Sequence, residues 1–152
     1  MKKLLALIEE LETKIPHSEK INTTVSNSAV GWHIHHSLLV CLNIIQAVEK
    51  SNPENYSWKF NINKTLVYTL NKIPRGKAKA PESVQPKEQM SADEMKKAFA
   101  LLKERLPVLN ALHPNNYFKH PYFGNLHVKD TIKMLQLHTK HHIGIINDII
   151  KG

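Results

Sequence analysis

Apolar residues recur at three-to-four spacing in four stretches of the chain, and each stretch predicts a helix turning one face to a common core. The first runs from about Lys2 to Ile15, with Leu4, Ile8, Leu11 and Ile15 inward, and Pro16 closes it. The second begins near Asn27 or Ser28, either a suitable N-cap, and ends at about Lys50 before Ser51-Asn52-Pro53. It is apolar almost all round, with its densest line at Ile34, Leu38, Cys41 and Ile45. The third opens on the capping-box pattern Ser91-Ala92-Asp93-Glu94 and carries Met95, Ala98, Phe99, Leu102, Leu106 and Leu109 inward. Pro107 is expected to kink it or end its regular part. The fourth runs from about Val128 to Ile150, with Ile132, Leu135, Ile146 and Ile149 on one side and Lys133, Lys140, Asn147 and Lys151 on the other.

The connections carry less regular patterns. Residues Ser51 to Met90 are expected to be largely irregular, punctuated by Pro53, Pro74, Pro81 and Pro86, apart from a short helix near Asn63 to Ile73 built on Ile62, Leu66, Thr69, Leu70 and Ile73. The segment Leu112 to His127 holds Tyr117, Phe118, Tyr122 and Phe123 beside His120-Pro121, too apolar to hang in water, and is expected to fold back over one end of the bundle. No strand-like alternation is long enough to argue for a sheet. One all-α domain over 1–152, built from four long helices with a long connection between the second and third, is the simplest assembly.

Composition narrows the function. The single cysteine, Cys41, has no partner in the chain, so neither an intramolecular disulfide nor a Cys-based zinc cluster is available, and a buried thiol in the cytoplasm is expected. The opening MKKLLALIEEL starts like a leader, but Glu9 and Glu10 interrupt its apolar run, and nothing later approaches a membrane span. Twenty-one Lys and Arg against 13 acids give a formal charge of +8. Only KIPRGKAK, Lys72 to Lys79, concentrates that charge, and it lacks the interleaved aromatics of a nucleic-acid surface. It reads as a solvated loop, in which Arg75, Lys77 and Lys79 would meet an anionic substrate if one binds.

The ten histidines change the picture most. In LQLHTKHHIGII, His138 and His142 stand four apart and so lie one turn above the other on a single helix face. His142 falls in the arc of Leu135, Ile146 and Ile149 with His138 beside it, while His141 drifts toward Asp148. Two imidazoles stacked in apolar surroundings are more simply satisfied by a shared cation than by separate hydrogen-bond arrangements. The second helix offers His33, His35 and His36, among which periodicity does not choose. Exposure to water near the helix start suits His33 or His35, and suits His36 less, deeper in the helix.

GWHxxHSL in the second helix, the HPYFG segment and the closing LxxHTxHHxxII together resemble the DinB-like superfamily of metalloenzymes, and within it a branch of uncharacterised bacterial proteins. The similarity spans essentially the whole chain, including IPRGKAKAP. It implies an up-down-down-up four-helix bundle, often dimeric, with one histidine from the second helix and a His-x3-His pair from the fourth around a common cavity. Carried onto this chain, the pattern matches His36, His138 and His142, with His35 the alternative on the second helix, and gives His33 and His141 no ligand role. One departure is that Ser28 stands where the superfamily often has a tryptophan.

Three imidazoles with a position left for water or substrate describe a catalytic rather than a structural site. Zinc or nickel is the expected ion, and iron or manganese also suits imidazole. The resemblance further implies a low-molecular-weight thiol cosubstrate and transferase or hydrolase chemistry, with His120 or His141 as supporting or proton-transfer groups. A non-catalytic metal- or ligand-binding bundle is the competing account, because no carboxylate takes an inward position beside His138 or His142.

Overall fold

The computed structural model describes residues 1–76 and 80–152. In chain order it comprises α1 (Lys2–Glu12), α2 (Val30–Glu49), α3 (Ile62–Leu70), α4 (Ala92–Arg105), the short α5 (Val108–Ala111), strands β1 (Tyr117–His120) and β2 (Gly124–His127), and α6 (Val128–Lys151). Single 3₁₀ turns at Ile15–His17, Pro53–Asn55 and Glu82–Val84 punctuate the connections. Helices α1 and α2 each pack against both α4 and α6 around one apolar core. The inward positions read from periodicity are buried: Leu4, Ile8, Leu11 and Ile15; Ile34, Leu38, Cys41 and Ile45; Met95, Phe99, Leu102, Leu106 and Leu109; Leu135, Ile146 and Ile149. Among the described residues, no helix is long and apolar enough to cross a membrane.

Helix ends follow local chemistry. The α4 capping box forms as its sequence predicts, Ser91 Oγ accepting from the Glu94 amide while the Glu94 carboxylate accepts from the Ser91 amide. Pro107 separates α4 from α5. The start of α2 departs from expectation, because the cap is Ala29 and neither Asn27 nor Ser28. Its first amides are instead satisfied by backbone carbonyls, Val30 N–H by Lys20 and Gly31 N–H by Ser18 at 2.8 Å. Gly31 permits that approach, since a Cβ there would stand 3.1 Å from the Ser18 oxygen.

Two connections carry more structure than their patterns show. The expected short helix forms as α3, ending at Leu70 short of Ile73; Ile62, Leu66 and Leu70 are exposed, and it packs inward through Val67 and Tyr68. The Tyr68 hydroxyl donates to the Asp130 carbonyl, Lys64 pairs with the Asp130 carboxylate at 2.9 Å, and Lys133 donates to the left-handed C-cap Asn71, so polar anchors rather than the apolar stripe dock α3 on α6. The aromatic connection is not irregular but an antiparallel hairpin, Tyr117 opposite His127 and His120 opposite Gly124, packed on α2 and α6. A four-residue strand is too short to be legible from alternation. Gly124, at φ +73°, takes the left-handed conformation that closes the three-residue turn.

Candidate metal centre

Histidines from α2 and α6 meet where the hairpin covers the two helices. His36 is buried and its ring stacks on Trp32, centroids 5.1 Å apart and planes within 11°. His36 Nδ1–H donates to the Val84 carbonyl at 2.7 Å. A carbonyl only accepts, so the proton stays on Nδ1 and Nε2 presents its lone pair. That Nε2 faces His138 Nε2 at 3.2 Å. An ion held tetrahedrally by bonds of 2.0–2.1 Å imposes about 3.3 Å between neighbouring donors. His142, one turn beyond His138, completes the group, and one nitrogen of each of the three rings lies within 4.8 Å of the others. His35 is not part of it: it borders a separate surface groove with Glu82 and Lys87.

Electrostatics favour neutral rings. Desolvation, and after it the neighbouring imidazoles, push His138 and His142 well below the ordinary histidine value, and desolvation lowers His36 as well. Neutral imidazole is the form that ligates metal. His138 Nδ1 is buried without a hydrogen-bond partner among the described residues. One nitrogen from each of three buried, neutral imidazoles thus converges on one region, with His36 Nε2 presenting its lone pair there, a donor set that fits a divalent ion.

Above the three rings lies a cavity of about 470 Å³, walled by Trp32, Val40, Ile44, Phe118, Phe123 and Met134 among others. Among the described residues no charged side chain lines it. His120 and His141 both reach the lining. His120 Nδ1 accepts the amides of Tyr122 and Phe123 at 3.1 and 3.2 Å, and its ring stacks on Phe123 with centroids 4.3 Å apart. This explains the HPYFG segment: the histidine ties the turn, and the glycine closes it. It also places the ring proton on Nε2. Burial lowers the His120 pKa to about 4, so near pH 7 it offers a hydrogen-bond donor rather than a base. His141 is lowered by desolvation, then by the charge of Arg75, and is held by the Ile73 carbonyl. Arg75 itself pairs with Asp148 at 2.8 Å and is absent from the described lining, while Lys77 and Lys79 lie outside the described residues.

The residue that sequence reading missed is His33. Exposure to water was the expectation, yet it is buried, only 4 % exposed, with Nδ1 3.1 Å from His142 Nδ1 and Nε2 3.0 Å from Ser26 Oγ. Its place three residues before His36 puts both on one helix face, and that spacing was the available signal. Desolvation, then the nearby His36, lowers it to about 4. Comparison with protein-family models, curated proteins and solved structures returns no match.

Proposed function

We propose that the chain is a DinB-like protein in which α1, α2, α4 and α6 form an up-down-down-up bundle and His36, His138 and His142 hold one divalent ion, zinc or nickel ahead of iron or manganese. The observation that carries this reading is the convergence of one nitrogen from each ring, with His36 oriented by the Val84 carbonyl. When bound, such an ion supplies a Lewis acid with a position left for water or substrate. The chain's own residues do the rest. The aromatic and aliphatic walls exclude water and bury an apolar guest, and His120 Nε2–H offers one donor to an oxygen or sulfur acceptor on it. A lining without carboxylates among the described residues favours a neutral or anionic guest over a cationic one. A low-molecular-weight thiol used in transferase or hydrolase chemistry fits that description, and the family resemblance adds support.

The chain acts in this reading in the cytoplasm, where Cys41 stays a free, buried thiol that desolvation pushes up to about 12. The family resemblance adds a second copy of the chain as partner, for which the exposed Trp58, Phe60, Ile62, Leu66 and Leu70 offer apolar surface, and this reading gives nucleic acid and a membrane no role. A second reading, a non-catalytic metal- or ligand-binding protein, is favoured by the same absence of a lining carboxylate among the described residues, which leaves proton transfer to histidine alone. Metal analysis of protein purified without an affinity tag tests the site: about one divalent ion per chain is expected, and none would remove the proposal. Turnover assays with thiol cosubstrates on the loaded protein then separate the two readings.

A further inference from the structure

His33 and Ser26 form a chain of hydrogen bonds that runs outward from one proposed ligand. Ser26 Oγ lies 3.0 Å from His33 Nε2 and accepts the Ser28 amide at 3.1 Å. His33 Nδ1 lies 3.1 Å from His142 Nδ1. Ser26 is itself anchored, its amide donating to the Asn22 carbonyl at 2.9 Å in a turn closed by the Asn22 to Ser26 bridge. The His33 backbone is held from the other side by the Ser37 hydroxyl, which donates to its carbonyl at 2.8 Å. The ring therefore has little freedom to leave His142.

We infer that His33 is a positioning residue for the metal centre: it accepts the Nδ1 proton of His142, passes its own Nε2–H to Ser26, and so leaves His142 Nε2 as the nitrogen that faces the ion. This rests on the three-histidine reading above. Two neutral imidazole nitrogens at 3.1 Å share one proton, so the chain has two arrangements. In one, His142 donates to His33 and His33 to Ser26. In the other, Ser26 donates to His33 and His33 to His142, which puts the His142 proton on Nε2 and removes the lone pair an ion needs. Ligating histidines generally donate their second N–H outward, most often to an oxygen. His36 does so directly to a carbonyl, which cannot reverse, whereas His142 does so through an imidazole, which can. An ion on Nε2 selects the outward arrangement, and the anchored Ser26 oxygen, accepting at both lone pairs, completes it.

The test uses the full chain, cobalt(II) and zinc as probes, and two variants. Chelator competition should show His33→Leu, which keeps bulk but no acceptor, binding about 10- to 100-fold more weakly, the range outer hydrogen-bond partners of metal ligands command. His33→Asn, whose amide oxygen can stand near the Nδ1 position, should bind within about threefold of wild type. The cobalt absorption bands of His33→Leu should keep the wild-type positions, since no ligand is lost. Long-range proton–nitrogen spectra of the zinc-loaded wild type should show His142 protonated on Nδ1, a readout that stands even if His33→Leu does not fold. Wild type that binds neither ion defeats the three-histidine reading and this inference with it. Tight binding by wild type and His33→Leu alike overturns the inference alone, as does Asn as weak as Leu, a changed cobalt spectrum that makes His33 a ligand, or a loaded His142 protonated on Nε2.

Discussion

Replacing His142 by Ala should abolish metal-linked stabilisation while leaving a folded helical protein. A ligand that binds only the folded state stabilises it by about 2.7 kcal/mol when its free concentration is 100 times its dissociation constant. For 152 residues the unfolding entropy is about 320 cal/mol/K, so each kcal/mol moves the melting temperature by about 3 °C. Zinc at that concentration should therefore raise the wild-type midpoint by about 8 °C. In His142→Ala the shift should fall below about 1 °C, because the facing pair His36 and His138 is left without its third donor. The variant also begins from a lower baseline. His142 is 7 % exposed, and its loss leaves His33 Nδ1 buried without its partner, costing about 1–3 kcal/mol, or about 3–9 °C. His142→Gln, closer in volume, should show a smaller baseline loss and the same missing shift. Melts followed by circular dichroism, with and without zinc in chelator-treated buffer, measure both quantities. An undiminished zinc shift in both variants would refute the assignment.

Truncating Phe99, fully buried in α4, to Ala should cost about 3–5 kcal/mol in urea unfolding, and a loss under 1 kcal/mol would mean the core closes differently. Ser91→Ala removes the α4 capping box and should cost about 1 kcal/mol by the same assay, with metal affinity unchanged, since α4 contributes no ligand. His120 gives a pH signature: its folded value of about 4 lies below the ordinary 6.5, so its contribution to stability is complete above about pH 6.5 and is lost as pH falls through 4. The full loss is at most about 3 kcal/mol. His120→Asn, which can still accept the turn amides, should flatten that part of the stability profile, and an unchanged acid slope would show that His120 titrates normally.

Much of the helical framework was legible in the sequence because burial along a helix repeats at 3.6 residues, and Leu4, Ile34, Phe99 and Leu135 sit on such repeats whatever their partners. The pair His138 and His142 was legible for the same reason, as one-turn spacing is a local property. Local pattern failed where contacts are non-local. The start of α2 is set by carbonyls of Ser18 and Lys20, not by a side-chain cap, and α3 is docked by the polar anchors Lys64, Tyr68 and Asn71, which no apolar periodicity marks. Between His33, His35 and His36 the sequence could not choose, since an α2 that is apolar on nearly every face has no single inside. Only the tertiary structure decides that Val84, 48 residues away, orients His36, and that His142, 109 residues away, meets His33. Hydrogen bonds between distant ring nitrogens depend on the distance and angle between helices, which no periodicity encodes.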